Sequence, residues 1–307
     1  MYKPKVIVIC GPTASGKTAL SIELAKKING EIISCDSMQI YKDMNIGTAK
    51  VTEDEMQGIC HYLIDFVSPD ERYSVADYKV DSEKAIEKII SKGKIPIIVG
   101  GTGLYVDSLI YGIEYPEIKF DEKYRNKLEK EADEKGLETL YNKAKEIDEQ
   151  AMQKISINDR KRIIRVLEIY HATGKNKTEQ EIESRKKEIK YDYKIFAINM
   201  DREKLYERIN IRVDRMIENG LIEEVENLQK KYNHFPTAMQ GLGYKEVIEY
   251  LQSQITREEM IEKIKQESRR YAKRQLTWFR KNKQTIWIDG LANLEDNINI
   301  IEKELNK

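Results

Sequence analysis

An α/β fold is what the sequence predicts: a doubly wound parallel sheet with a helical insertion domain and a helical C-terminal region. Three observations point to it. Short runs rich in Ile and Val alternate with stretches of helical spacing in the first third of the chain. Gly11–Thr18 fits the pattern G-x-x-x-x-G-K-[ST] and falls between the first such run and a helix, which makes the fold P-loop-containing. From about Glu114 to Asp192 the pattern turns to charged helical stretches, beginning after Pro116, before an apolar run returns at Lys194.

Five strands are expected at Lys5–Cys10, Glu31–Cys35, Tyr62–Val67, Ile95–Gly100 and Lys194–Met200, continuous apolar runs of the kind a parallel sheet buries on both faces. Leu20, Leu24 and Ile28 give helical spacing after the first, and Val80, Ala85 and Ile89 before the fourth. Beyond Met200, helices are expected at Leu205–Met216, Leu221–Lys231, Lys245–Gln254 and Glu258–Lys281, then a short strand at Thr285–Ile288. The resulting organisation is 1–113 as the first part of the P-loop core, 114–193 as a helical insertion, and 194–307 as the completion of the core with basic helices.

At 307 residues the chain is about twice the usual single-domain length, which favours a second, smaller unit. With 53 basic side chains balancing 53 acidic ones, no global field attracts polyanions, so any nucleic-acid surface must be local. Cys10, Cys35 and Cys60 form no paired pattern for zinc or a disulfide framework, which fits a reducing compartment. The apolar run Val6–Cys10 is too short for a signal peptide or a membrane span. A cytoplasmic protein without membrane attachment is expected. His61, His171 and His234 are scattered and need no catalytic explanation.

In the stretch Gly11-Pro12-Thr13-Ala14-Ser15-Gly16-Lys17-Thr18, glycines let backbone amides turn toward a phosphate chain, and the helix N-terminus adds partial positive charge. Lys17 can neutralise terminal oxygens, and the Thr18 hydroxyl can hold magnesium. The plain alternative is a glycine-rich turn that only packs. The motif indicates a di- or triphosphate without naming its owner, and an ordinary ATPase would carry the same loop. Asp36 follows the second strand, at the edge where ligands of open α/β sheets bind. A carboxylate beside a diphosphate needs a task, as a base toward a nucleophile or behind a metal, although Asp and Ser are also good helix caps. After the fourth strand, the small residues of Gly100-Gly101-Thr102-Gly103-Leu104-Tyr105 admit a ligand close to the backbone, and Thr102 adds a hydroxyl.

Gly11–Thr18, the block Asp36-Ser37-Met38-Gln39-Ile40-Tyr41-Lys42-Asp43-Met44-Asn45-Ile46-Gly47-Thr48-Ala49-Lys50 and Gly100–Tyr105 together resemble the tRNA dimethylallyltransferases. Further blocks match in order, Asn158–Arg165, Gly241–Lys245 and Lys273–Arg280, so the resemblance covers essentially the whole chain. It implies that the loop (Gly11, Thr13, Ala14, Ser15, Gly16, Lys17, Thr18) holds the diphosphate of dimethylallyl diphosphate rather than ATP. Asp36 is then the base and Thr102 a contact near the reacting amine. The implied reaction moves the dimethylallyl group to the exocyclic N6 amine of the adenine 3′-adjacent to the anticodon, releases diphosphate and uses Mg2+. The implied partner is a tRNA anticodon stem-loop, and the enzyme is expected to be a monomer. RNA contacts are expected from Asp36, Ser37, Met38, Gln39 and Thr102, from Arg125, Lys161, Arg162 and Arg165, and from Gln240, Tyr244, Lys245, Lys273, Arg274 and Arg280. One departure stands out: bacterial relatives often carry Arg-Cys-Val-Gly-Tyr-Arg where this chain has Gln240-Gly241-Leu242-Gly243-Tyr244-Lys245, with two fewer guanidiniums. Nor are there cysteine or histidine pairs for the zinc finger that eukaryotic relatives can append.

Between Lys263 and Lys283, nine basic residues stand against one acidic residue, Glu267, with Tyr271, Trp278 and Phe279 interleaved. Cations that neutralise phosphates and rings that stack on bases suit a single-stranded RNA loop. The same rings could equally be core, given that Leu276 and Phe279 lie three apart. A second patch, Arg160, Lys161, Arg162 and Arg165, shares a predicted helix with Ile163, Ile164, Leu167 and Tyr170 on its buried side, and Arg162 and Arg165 can point off that face together. A solvated charged helix is the alternative. A prenyltransferase of free adenine nucleotides would not need these patches, a P-loop nucleotide kinase would not explain the Asp36–Lys50 block, and a nucleotide-driven RNA-binding switch would bind ATP tightly without consuming any prenyl donor.

Overall fold

The computed structural model describes residues 3–115, 121–184 and 188–306. Pro116, after which the insertion is expected to begin, lies outside them. The chain divides into two compact units, Met1–Asp107 with Lys190–Lys307, and Ser108–Ile189.

In the first unit, β1 (Lys5–Cys10), β2 (Gly30–Ser34), β3 (His61–Tyr62), β4 (Ile95–Gly100), β5 (Asp192–Asn199) and β6 (Ile286–Asp289) pair in the order β3-β2-β4-β1-β5-β6. All pairs are parallel, so every strand delivers its carboxyl end to one edge. The apolar run expected as a third strand over Tyr62–Val67 pairs only at its start. Leu63 and Asp65 take φ of 57° and 56°, left-handed conformations that a ladder cannot continue. Val67 makes an isolated bridge to Tyr41 and is buried for a different reason, as part of a helical core cluster. β5 begins two residues before the expected Lys194, because Asp192 already pairs with Lys5.

Helix α1 (Lys17–Ile28) starts from Gly16, whose φ of 90° suits a residue without a Cβ, and is followed by α2 (Glu53–Met56), α3 (Val75–Ser91) and α4 (Gly103–Ile110). Ser74 and Asp77 close a capping box at the head of α3. Its buried face is Tyr78, Ser82, Ala85, Ile86 and Ile89, the 3.6-residue set; Val80, expected on that face, is 52% exposed. Helices α10 (Arg202–Glu218), α11 (Leu221–Lys231), α12 (Tyr244–Leu251), α13 (Arg257–Phe279) and α14 (Leu294–Leu305) complete the unit. One core cluster joins Ile7, Ile9, Ile97 and Phe196 of the sheet to Leu20 and Leu24 of α1 and Ile298 and Ile301 of α14. A second, around Tyr41, Met44, Val213, Val225, Tyr244 and Ile264, packs the segment after β2 against α10 to α13.

The second unit consists of α5 (Glu122–Lys135), α6 (Leu137–Ile147), α7 (Glu149–Met152), α8 (Arg160–Thr173) and α9 (Lys177–Ser184) around Leu128, Leu140, Ile163, Ile164 and Leu167. Tyr170, expected on the buried side of α8, is 44% exposed. Among the described residues no helix is long and apolar enough to cross a membrane.

Candidate active site

The phosphate loop leaves the central strand β1 and turns into α1. Ala14 has a φ of 61°, an uncommon conformation for a residue with a Cβ, and packs near Met200, Leu205, Ile209 and Ala272, which hold the loop from behind. The Ser15 hydroxyl donates to the Pro12 carbonyl at 2.8 Å. Lys17 folds back over the loop and donates through Nζ to the carbonyls of Gly11 and Pro12 at 3.1 and 2.7 Å. Crowding around that ammonium, then the charge of Arg212, lower it to about 8 against the opposing pull of Asp36.

Arg212 of α10 carries no sequence motif and was not among the expected site residues. Its Nη2 donates to the Thr48 carbonyl at 3.2 Å, and its charge is felt by Lys17 and feels Asp36. Two cations are thus held close, and among the described residues neither forms an ion pair. The signal available was position: Arg212 falls three after Ile209 on a helix whose buried stripe is Leu205, Ile209 and Val213.

Asp36 lies just past β2. Its Oδ1 accepts the amides of Met38 and Gln39 at 2.8 and 3.3 Å, a turn-capping role, while Oδ2 has no hydrogen-bond partner among the described residues. No helix begins there, so the expected alternative of a helix N-cap becomes the cap of a turn. Thr102, past β4, accepts the Ser37 amide through Oγ1 at 3.0 Å, and its own amide donates to the Cys35 carbonyl at 3.2 Å. These bonds tie the two strand ends together. Tyr271 of α13 reaches the same place: burial, then the Asp36 charge, push its hydroxyl up to about 12 while the Thr102 side chain pulls it down.

The segment after Asp36 is held from below. The Glu224 carboxylate of α11 accepts the successive amides of Asn45, Ile46 and Gly47 at 2.8, 2.7 and 3.1 Å and the Tyr244 hydroxyl at 2.7 Å. Gln39 Nε2 donates to the carbonyls of Thr48 and Ala49, each at 3.2 Å. Tyr244, expected among the RNA contacts, is fully buried; its role is to support this segment, and a Cβ at Gly47 would lie 2.6 Å from its ring. Met38 packs on Gly241, while Gln240 and Lys245 are exposed and Lys245 pairs with Glu246 at 3.3 Å.

Lys273 and Arg274 of α13, and Arg280 just past its end, are exposed. Of the interleaved rings, Tyr271 reaches the strand edge at Asp36 and Thr102, while Trp278 and Phe279 serve packing. Phe279 is buried, and Trp278 donates through Nε1 to Asp107 Oδ2 at 2.9 Å. In the helical unit, Arg162 and Arg165 are exposed together, as expected, along with Lys161. Acidic neighbours temper that patch: Arg160 binds Glu129 and Asp133, Arg162 binds Asp159 at 2.6 Å, and Arg125 and Arg165 flank Glu168 at 3.0 and 3.3 Å.

Among the described residues, no three His, Cys, Asp or Glu side chains are grouped to hold a metal. Thr18, exposed at the head of α1, fits a magnesium ion that takes most of its ligands from substrate phosphates and water.

A family model described as IPP transferase matches residues 39–282. The chain is 55% identical over 285 residues to a tRNA dimethylallyltransferase of Acetivibrio thermocellus, covering 92% of this chain and 91% of the relative. With one from Bacillus anthracis it shares 47% identity over 289 residues, 94% of this chain and 92% of the relative. Among solved structures it is similar to the tRNA isopentenylpyrophosphate transferase of Bacillus halodurans, at 42% identity and a TM-score of 0.74, with 99% and 96% of the two chains covered. It is also similar to a eukaryotic dimethylallyltransferase acting on tRNA, at 34% identity and a TM-score of 0.78 over 94% of this chain and 74% of that one.

Proposed function

This chain belongs to the IPP transferase family, and from that premise we propose that it transfers the dimethylallyl group of dimethylallyl diphosphate to the N6 amine of the adenine 3′-adjacent to the anticodon in tRNA, releasing diphosphate. The observation that carries this reading is the strand-edge arrangement. A phosphate loop with two cations adjoins an Asp36 of which one oxygen is uncommitted among the described residues, and Asp36 is joined through Ser37 to Thr102. A kinase could use the same loop and a nearby carboxylate, but the match along the chain is to tRNA dimethylallyltransferases.

The adenine is extruded from the stacked loop, since an exocyclic amine cannot be reached inside it. Its lone pair is delocalised into the ring, so the amine attacks the prenyl carbon more readily as its proton leaves. Asp36 Oδ2 takes that proton, while the Oδ1 bonds to Met38 and Gln39 hold the carboxylate in place. The carbon–nitrogen bond forms as the carbon–oxygen bond to the diphosphate breaks, and Lys17 and Arg212 stabilise the charge that collects on the leaving group. Magnesium at Thr18 would supply further neutralisation of the same oxygens. Thr102 fixes the acceptor side. Two basic surfaces serve RNA phosphates: Lys161, Arg162 and Arg165 in the helical unit, and Lys273, Arg274 and Arg280 along and just past the end of α13. Arg125, Gln240 and Lys245 add polar contacts, and Ser37, Met38 and Gln39 border the adenine. Such an enzyme works in the cytoplasm, as a monomer.

Mass spectrometry of tRNA nucleosides after incubation with dimethylallyl diphosphate and magnesium tests the reading. Prenylated adenosine is expected without ATP, and a strict ATP requirement, or free AMP serving as well as tRNA, would overturn it. Charge reversal at Arg274 and Arg280 should raise the tRNA KM more than it lowers turnover, and rising salt should weaken tRNA binding.

A further inference from the structure

Gln275 is only 5% exposed, although Lys273, Arg274 and Thr277 around it on α13 are exposed. Glutamine is mostly found at the surface of proteins. Here both ends of its amide are engaged: Oε1 accepts the Thr13 N–H at 2.9 Å, and Nε2 donates to the Gly101 carbonyl at 2.9 Å. Thr13 belongs to the phosphate loop after β1, and Gly101 to the loop after β4 that carries Thr102. A Cβ at Gly101 would lie 2.1 Å from Gln275 Nε2, so the glutamine dictates the glycine. The helix is anchored on both sides of it, by Ala272 against Met200, Leu205 and Ile209, and by Trp278 on Asp107. A neutral amide of this length supplies an acceptor and a donor at once. Ionised glutamate has no donor, methionine has no N–H to give, and asparagine is a methylene shorter.

Building on the prenyl-transfer reading, we propose that Gln275 is a positioning residue for the reaction, fixing the separation between the phosphate loop and the Gly101–Thr102 loop. It touches neither substrate. It sets how the donor carbon, held through its diphosphate, lines up with the acceptor amine near Asp36 and Thr102, and misalignment of that kind lowers turnover before it lowers binding. Because Gln275 stands between Lys273, Arg274 and Arg280, it also joins the RNA-facing helix to the donor loop.

Steady-state kinetics of Gln275→Met and Gln275→Glu with tRNA and dimethylallyl diphosphate test this, each beside wild type. Methionine keeps length and volume but makes neither bond, so kcat should fall about tenfold or more while both KM values stay within about threefold. In Gln275→Glu the ionised carboxylate still accepts from Thr13 but faces the Gly101 carbonyl. Protonation restores the donor, so its rate relative to wild type should rise as pH is lowered from about 8 to about 6. Wild-type kcat in Gln275→Met, or a loss confined to KM, overturns the proposal. Should that variant not fold, a Gln275→Glu rate ratio that is flat with pH overturns it alone. A wild-type chain that transfers no prenyl group takes down the functional reading and the positioning role together, whereas an active wild type beside an unimpaired Gln275→Met removes only the latter.

Discussion

The two ends of β2 each present a carboxylate, and they are treated in opposite ways. At the amino end, Glu31 is 3% exposed, and its oxygens meet Lys94 Nζ at 2.8 Å, Lys92 Nζ at 2.9 Å and the Tyr62 hydroxyl at 2.7 Å. Burial pushes its carboxyl up, but the bonds from Lys94, Lys92 and Tyr62 outweigh that and hold it at about 2. Past the carboxyl end, among the described residues Asp36 keeps one oxygen uncommitted near two cations that donate to backbone carbonyls. A charge that is fully matched holds the fold together, whereas a partly matched group is ready to bind or to accept a proton.

The largest test of that contrast is Asp36→Asn. Asparagine still caps the turn toward Met38 and Gln39 but cannot take a proton, so turnover should drop by about a hundredfold or more with the melting curve unmoved. Near wild-type turnover would erase the distinction between the two ends. Next comes Lys17→Met or Arg212→Met, each expected to lower kcat/KM for the donor by about tenfold to a hundredfold, with tRNA binding in a gel-shift titration unchanged.

At the other end, Glu31→Gln should cost about 2 kcal/mol of unfolding free energy by denaturant titration and leave kcat and KM alone. Its sign with pH is also fixed. The folded-state value of Glu31 is depressed, so its stabilisation is complete above the ordinary glutamate range and is lost as pH falls from there through about 2. Glu31→Gln should lack that part of the acid dependence. The smallest effect is in donor binding by the free enzyme. Lys17, lowered to about 8 by crowding and by Arg212, loses its charge as pH rises through that value. Calorimetry should therefore show donor affinity weakening by about a few-fold per pH unit above it.

Local chemistry made part of this legible in sequence. The loop Gly11–Thr18, Asp36 and Thr102 each stand at the end of an Ile- and Val-rich run, so motif and strand located one another. Arg212 escapes notice because it lies in no motif, and Gln275 because its block, Lys273–Arg280, draws attention to its cations. Each occupies the buried stripe of a long helix, at a position where apolar residues are expected, and a polar side chain on such a stripe is the trace they leave. Tyr244 was misjudged for the converse reason: its block is shared with the family, but a tyrosine in a shared block can support a loop as easily as touch a ligand. The truncated third strand shows the limit of apolar runs, since Leu63 and Asp65 turn the chain left-handed while Val67 stays buried.

The Glu224 carboxylate has a consequence for competition. Successive amides that converge on one point attract inorganic anions from solution, and this chain has such an arrangement at Asn45, Ile46 and Gly47 as well as a phosphate loop. The first is already filled by the protein's own side chain. Added diphosphate or sulfate therefore has no vacancy to enter there, and an isotherm for inorganic diphosphate should saturate at a stoichiometry set by the phosphate loop, undistorted by a second, non-productive seat.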